Sequence, residues 1–405
     1  MRVLTSIILM TCSFGHLCAQ TGMGKGAFSY DHIRQTFLTA TEALINHYWA
    51  ASFQGCDSCY YFNAAGDEAN KKNEWWWQAH AMDVIVDAYR LTGKQYYKNF
   101  YEKWFDGIVR YNYEKWTDDP WRNQSVDDME WIALTLIHMY ETSGEKKYLL
   151  QARRLYDRYI ITTWGPADEA PWHGGISWST DPKIHKTKNA CSNGPAGIIA
   201  SLLARHAKEL TERQPKKLQR KYQDDLTRIY QWERKYLYND TTGAVYDHIR
   251  RNRTAHRVWS YNTATFMAMG TELYRLTHRQ QYINDAIKAA DYTILRLSDP
   301  NTGLMNNVSR LENGGDMGLF HGIFFRYLSQ LINSNALPAD KKEDYSRFIA
   351  ANCNTAINCL QPGVDIFSKN WMTERISTAE NAPLTPHVTG CTLLYAALSI
   401  MNVNP

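Results

Sequence analysis
Apolar residues recur along the chain at the three- and four-residue spacing of helices. The pattern predicts twelve helices, over 31–51, 77–92, 94–112, 126–143, 146–161, 195–210, 216–238, 261–277, 279–297, 317–333, 338–356 and 388–402. No convincing run of strands appears, though the long loops have room for a hairpin near Ala244–His248. Every second helix is apolar and rich in small residues, as in Pro195–Ala204, Asn262–Gly270 and Val388–Ala397. The helices between them carry charge, as in Lys216–Leu237 and Lys341–Ala351. A helix apolar all round belongs in an interior, and one with a charged face belongs on a surface.

Loop length alternates in step with this pattern. The links at Thr92–Lys94, Ser143–Glu145, Thr211–Pro215, Thr277–His278 and Ser334–Pro338 are short. Those at Tyr113–Ser125, Thr162–Gly194, Asn239–Ser260 and Pro300–Asp316 are long. Short turns join antiparallel neighbours, so all short turns gather at one end of the molecule and all long loops at the other. A weak repeat ends three of the apolar helices: Asp87–Lys94, His138–Glu145 and Glu272–Arg279. Six helical hairpins with an apolar inner set predict an all-α, (α/α)6 barrel, with an open helical solenoid as the rival arrangement.

Composition narrows the function classes. The 405 residues are 44% hydrophobic, enough for a sizeable core, and no linker divides them. With 45 Lys+Arg against 41 Asp+Glu, nothing calls for nucleic acid or an anionic membrane as partner. The excess is aromatic, with 14 Trp and 26 Tyr. Rings with apolar faces and a polar edge suit the C–H faces of sugars, and they also fill helical cores. Residues 1–19 read as an export signal cut near Ala19, leaving 20–405 as one catalytic domain. Export from a bacterial cell follows, to the periplasm, the surface or the medium. Lipid anchoring at Cys12 or Cys18 is the alternative. No later segment reads as a membrane span.

Cleavage near Ala19 leaves Cys56, Cys59, Cys191, Cys353, Cys359 and Cys391. Cys56 and Cys59 have a metal-like spacing but no second pair or His pair to complete a zinc site. A local disulfide fits an oxidising compartment. Buried free thiols are the expectation for the other four. No metal or cofactor is implied.

The unusual polar and aromatic clusters fall where long loops enter the inner helices. They are Asn73–Trp77, Ser125–Asp128, Trp172–Gly175 with Trp178, Asn189–Gly194, Trp259–Asn262 and Gly314–Gly318. Loops on a rigid scaffold are where sites are built. Three adjacent Asp pairs occur. Asp118-Asp119 precedes Pro120 and reads as a turn, and Asp224-Asp225 reads as a solvated helix face. Asp127-Asp128 opens an inner helix, where it is either part of a capping box begun by Ser125 or a catalytic pair. Retaining glycosidases hold two carboxyl groups about 5–5.5 Å apart, within reach of neighbouring residues.

Several motifs together resemble glycoside hydrolase family 76. They are Asp127-Asp128-x-x-Trp131, Trp75-Trp76-Trp77, Gly174-Gly175-x-x-Trp178, Lys188-Asn189-Ala190 with Ser192-Asn193-Gly194, Tyr261-Asn262 and Gly322–Leu328. The resemblance covers nearly all of the mature chain. It implies an (α/α)6 barrel and a retaining endo-α-1,6-mannanase, with Asp127 as nucleophile and Asp128 as acid/base. Trp75, Trp76, Trp77, Trp178, Asn189, Asn193, Tyr261, Asn262 and His321 then become candidate substrate contacts. His321 stands where the family pattern has Lys.

Three consecutive rings at a helix start cannot all face one groove, so one or two of Trp75–Trp77 are expected there. Asn189, Asn193 and Asn262 can equally cap helices, and His173 reads as a loop residue. The Asn-x-Ser/Thr triplets at Asn123, Asn239, Asn252 and Asn307 read as chance. The implied partner is a mannan polysaccharide or oligosaccharide, bound by a monomer. Competing functions are a non-catalytic mannan-binding surface protein and a transglycosylase on the same scaffold. An unsaturated uronyl hydrolase or a sugar epimerase is a further rival, the epimerase drawing on His80, His173 and His321.

Overall fold
The computed structural model describes residues 27–51, 59–66, 75–112, 118–165, 173–181, 183–184, 187–250, 253–305 and 315–401. Residues 1–19, read above as an export signal, and Cys56, Trp172, Asn252 and Asn307 lie outside them.

Six helices form an inner ring: α2 (Trp75–Thr92), α4 (Val126–Ser143), α6 (Ala190–Arg205), α9 (Ser260–Thr277), α11 (Met317–Ile332) and α13 (Leu384–Met401). Each packs on the next, and α13 returns to α2, so the ring closes. Six further helices pack outside it: α1 (Tyr30–Tyr48), α3 (Gln95–Tyr111), α5 (Lys146–Leu155), α8 (Pro215–Tyr236), α10 (Gln280–Leu297) and α12 (Ala339–Cys359). A short α7 (Ala207–Leu210) sits between α6 and α8. This is the (α/α)6 barrel, and its closure excludes the open solenoid.

Sequence explains both layers. In α6 every residue from Ala190 to Ala204 is buried. Small residues let the inner helices approach closely: a Cβ on Gly318 would lie 2.3 Å from Thr385 Oγ1, and one on Gly322 2.7 Å from Thr389 Oγ1. Outer α8 buries one stripe, including Tyr222, Leu226, Ile229, Tyr230 and Glu233, and turns the rest outward. Helix α13 is long and apolar enough to cross a membrane, but most of it is buried within the barrel.

The weak repeat has a mechanical meaning. Its penultimate residues, Gly93, Gly144 and His278, all adopt left-handed backbone, with φ of 64°, 73° and 55°. Gly144 and His278 are the C-caps of α4 and α9. Just before each, the hydroxyl of Thr92, Ser143 or Thr277 accepts the backbone N–H two residues on. These devices end an inner helix sharply and start an outer one.

Several boundaries differ from the periodicity reading. Helix α6 starts at Ala190 rather than 195, with Pro195 inside it. Helices α2 and α13 likewise begin earlier, at Trp75 and Leu384. The reading 146–161 resolves into α5, a π turn (Tyr156–Ile160) and a 3-10 turn (Ile161–Thr163). The hairpin lies further along than expected. β2 (Tyr246–Arg250) pairs antiparallel with β3 (Arg253–Val258), and β1 (Lys188–Asn189) adds to the other edge of β2.

Candidate active site
Asp127 and Asp128 are the second and third residues of α4, at the long-loop end. The capping-box expectation fails, because the Ser125 side chain caps nothing. Instead the Ser125 N–H donates to Asn123 Oδ1 at 2.9 Å and the Val126 N–H to the Trp178 carbonyl at 2.9 Å. The chain entering α4 is therefore clamped to the 173–181 loop, and neither acid is needed as a cap.

Asp127 is partly buried and Asp128 buried. Cys191, the second residue of α6, donates its S–H to Asp127 Oδ2 at 3.3 Å. Asp127 Oδ1 is buried with no hydrogen-bond partner. Burial pushes the Asp127 carboxyl up to about 6. The Cys191 thiol, its own backbone N–H and the Trp178 indole oppose that rise, while the charge of Asp316 adds to it. One turn further along α4, Glu130 is fully buried, and Glu233 on α8 is too. None of their four carboxyl oxygens has a hydrogen-bond partner. Burial holds both carboxyls well above the ordinary carboxylate range, with Asp127 and Glu233 adding to the effect on Glu130.

The three tryptophans at the start of α2 divide. Trp75 is completely buried and donates its indole N–H to the Ile108 carbonyl at 3.0 Å, a core contact with α3. Trp76 and Trp77 both donate to Asp316 Oδ1, at 3.0 and 2.7 Å, at the start of α11, two places round the ring. Around them lies an aromatic cluster drawn from four inner helices. Trp76 lies 6.2 Å from Trp131 and 6.5 Å from Phe320, and Phe320 stacks on Tyr261 at 4.0 Å. His80 packs against Trp131 at 4.8 Å.

The remaining candidates occupy different environments. Trp178 is half-buried beside Asp127. Asn189 begins α6 with its Oδ1 buried and unpartnered. Asn262 donates from Nδ2 to Asp247 Oδ1 at 3.2 Å, and its Oδ1 is likewise free. His321 shares a 2.8 Å hydrogen bond with Ser260, and burial lowers it to about 4. Asn193 is the exception. It is fully buried, with its amide bonded to both backbone groups of Ile176 and to the Asn189 carbonyl. It braces a loop.

Lys188 does similar work, with Nζ donating to the Gly175 carbonyl at 3.1 Å and Ser177 Oγ at 3.0 Å. Gly174 and Gly175 have φ of 87° and 78°, and a Cβ on either would strike the ring of Trp164 or Trp232. His173 is exposed on the loop. No group of His, Cys, Asp or Glu among the described residues has metal-binding geometry.

One further sequence reading changes, and one other holds. Asp225 is not solvated: it is buried, paired with Arg228 at 2.6 Å and hydrogen-bonded by Tyr156, while Asp224 is exposed. Asn123 is fully buried and its Nδ2 is bonded to Asn112 Oδ1, which bars a glycan there. Asp119 does turn the chain, its carbonyl accepting the Arg122 N–H. Sequence reasoning missed Cys191 as a neighbour of Asp127, Asp247 as the partner of Asn262 and Phe320 as the ring stacked on Tyr261. It grouped Asp316 with the clusters without giving it a role.

Comparison with known proteins places this arrangement. The profile of glycosyl hydrolase family 76 matches residues 32–401. No curated protein sequence matches. Among solved structures, the chain is similar to an inactive variant of the α-1,6-mannanase of Salegentibacter sp. HEL1_6, with two consecutive aspartates replaced by alanine, in complex with α-1,6-mannotetrose. That similarity has 24% identity and a TM-score of 0.76, and it covers 92% of this chain and 100% of that one. The Lin0763 protein of Listeria innocua gives 25% identity and a TM-score of 0.75, covering 91% of this chain and 98% of that one. Dfg5 from Chaetomium thermophilum, in complex with glucosamine, gives 15% and 0.71, covering 94% and 93%.

Proposed function
Because this chain belongs to glycosyl hydrolase family 76, we propose that it is an exported, retaining endo-α-1,6-mannanase. The observation that carries this reading is the pair Asp127 and Asp128, set side by side at the start of α4 and facing an aromatic-lined end of the barrel. The inactive double-aspartate variant of the Salegentibacter α-1,6-mannanase, holding mannotetrose, supports it.

Asp127 is the nucleophile. One carboxylate oxygen attacks the anomeric carbon, the C1–O6 bond breaks, and Asp128 gives its proton to the departing O6. Water then attacks C1 of the glycosyl ester from the side the leaving group vacated. Asp128 takes the proton, the carboxylate of Asp127 departs, and two inversions give net retention. A carboxyl of about 6 is mostly ionised at pH 7, as a nucleophile must be. Activity should therefore fall as pH drops through about 6. Trp76, Trp77, Trp178 and Tyr261 offer ring faces to the sugars, and Asn189 and Asn262 keep buried amide oxygens free for sugar hydroxyls.

The test is incubation with linear α-1,6-mannan, followed by product sizing and anomeric analysis. Early intermediate-size oligosaccharides of retained configuration are expected. Binding without new reducing ends would overturn the assignment in favour of a mannan-binding protein. An acceptor sugar belongs in the assay, since the fold is shared with a Dfg5 that holds glucosamine. Products longer than the donor would point to transglycosylation.

A further inference from the structure
We infer that Cys191 is a positioning residue for Asp127, holding carboxylate oxygen Oδ2 through its S–H and so fixing the rotamer from which the carboxylate attacks the anomeric carbon. The inference rests on the reading of Asp127 as nucleophile. Its geometry is direct. Cys191 belongs to the neighbouring inner helix and is 3% exposed. Its sulfur is 3.3 Å from Oδ2, while Oδ1 is buried and unpartnered. The Tyr261 side chain lies beside the same thiol from α9, so the cluster draws on three adjacent inner helices.

The thiol chemistry suits the task. A carboxylate left without donors in a buried site swings about its χ angles and is costly to ionise. A strong O–H or N–H donor would fix it but also lower its basicity, and with it the attacking power. An S–H is a weak donor, so it selects one rotamer and leaves most of the basicity in place. When one carboxylate oxygen bonds to C1 and the leaving oxygen takes the Asp128 proton, the other becomes the carbonyl oxygen of the ester, a weaker acceptor. Cys191 keeps its proton throughout. Burial and the Asp127 charge hold that thiol well above its usual value, so it cannot compete as a nucleophile.

The experiment compares Cys191→Ala with Cys191→Ser on α-1,6-mannan across pH. Loss of the donor in Cys191→Ala should lower kcat roughly tenfold with KM nearly unchanged. It should also move the acidic limb of kcat/KM up by about half a pH unit to one. Cys191→Ser keeps a stronger donor and should retain kcat within about threefold, with the limb moved down. A wild-type profile in Cys191→Ala, or identical behaviour of the two variants, would overturn the inference. If the Ala variant fails to fold by circular dichroism, the Ser variant decides: an unmoved acidic limb counts against it.

Mapping the adduct formed with a 5-fluoro mannosyl fluoride separates this from the underlying reading. Label on Asp128 removes both. Label on Asp127 together with an unaltered Ala variant removes only the role of Cys191.

Discussion

At the short-turn end of the barrel, Asp87 is 1% exposed and meets two guanidinium groups, Arg326 at 2.6 Å and Arg90 at 3.2 Å. Asp83 meets His138 at 2.9 Å, Glu272 meets Arg205 at 2.9 Å and also Arg275, and Glu141 meets His206 at 3.0 Å. Many of these groups line a cavity of about 360 Å³. At the long-loop end, Glu130 and Glu233 are buried with no donor to either carboxyl oxygen, and partly buried Asp127 has one oxygen, Oδ1, that no donor reaches and a weak thiol donor on the other. Burial opposes ionisation of Asp83 too, but the His138 partner overrides it and holds the carboxyl well below its ordinary range. Burial of Asp127 and Glu130 meets no such partner, and both go up. Acids of similar depth thus hold the barrel together at one end and stand ready for chemistry at the other.

The largest effect expected from this contrast is catalytic. Asp127→Asn and Asp128→Asn should each reduce mannan hydrolysis by roughly 10³-fold or more, with the helical circular dichroism unchanged. Full activity in either variant would break the contrast, since the unpaired end would then carry no chemistry.

The paired end should answer in stability. Asp87→Ala leaves Arg326, whose side chain is 10% exposed, without its closest carboxylate. Removing one partner of a buried pair costs about 3–5 kcal/mol. Urea unfolding should show that loss, while kcat of the remaining folded enzyme stays near wild type. A loss of kcat with intact stability would reverse the roles of the two ends.

Asp127 should show the opposite sign. Burial raises its carboxyl to about 6 in the folded chain, above the ordinary aspartate value of 3.8. Between those values the folded chain binds more protons than the unfolded one, so stability falls as pH rises through that window. Asp127→Asn removes that difference in proton binding. At pH 7 it should be more stable than wild type by about 1–3 kcal/mol, the lower figure allowing for partial exposure, and less sensitive to pH between 4 and 6. Thermal unfolding across that range tests it. A less stable Asn variant would mean that Asp127 is held as firmly as Asp87.

How far the sequence shows this contrast depends on the range of each interaction. The ring was legible because α6, α9 and α13 are apolar all round, a local property. The site's end was legible because loop lengths alternate. The start of α6 was misread because Pro195 looks like a first-turn proline, whereas the helix begins five residues earlier. Asp225 looked solvated because its partner Tyr156 lies on a preceding element, 69 residues away. Asn193 fits a sugar-binding motif and a loop brace equally well until Ile176 is placed beside it. Cys191 and Asp316 were not legible as partners of the site: they meet Asp127 and Trp76 across 64 and 240 residues. No local pattern encodes such pairings, and a lone buried thiol reads as core filler.

The smallest effect concerns a turn at the paired end. His278 occupies a left-handed position, φ 55°, that Gly93 and Gly144 fill in the equivalent turns. A side chain in that region costs about 1–2 kcal/mol relative to glycine. His278→Gly relieves that strain but loses an edge contact with Tyr274 at 5.8 Å and adds freedom to the unfolded chain. The net expectation is a gain of about 0.5–1 kcal/mol in urea unfolding. Its kcat should not move, because the turn lies at the far end of α9 from Tyr261. If kcat changes, strain at the short-turn end is transmitted along α9 to Tyr261 and Cys191, and the two ends are not independent.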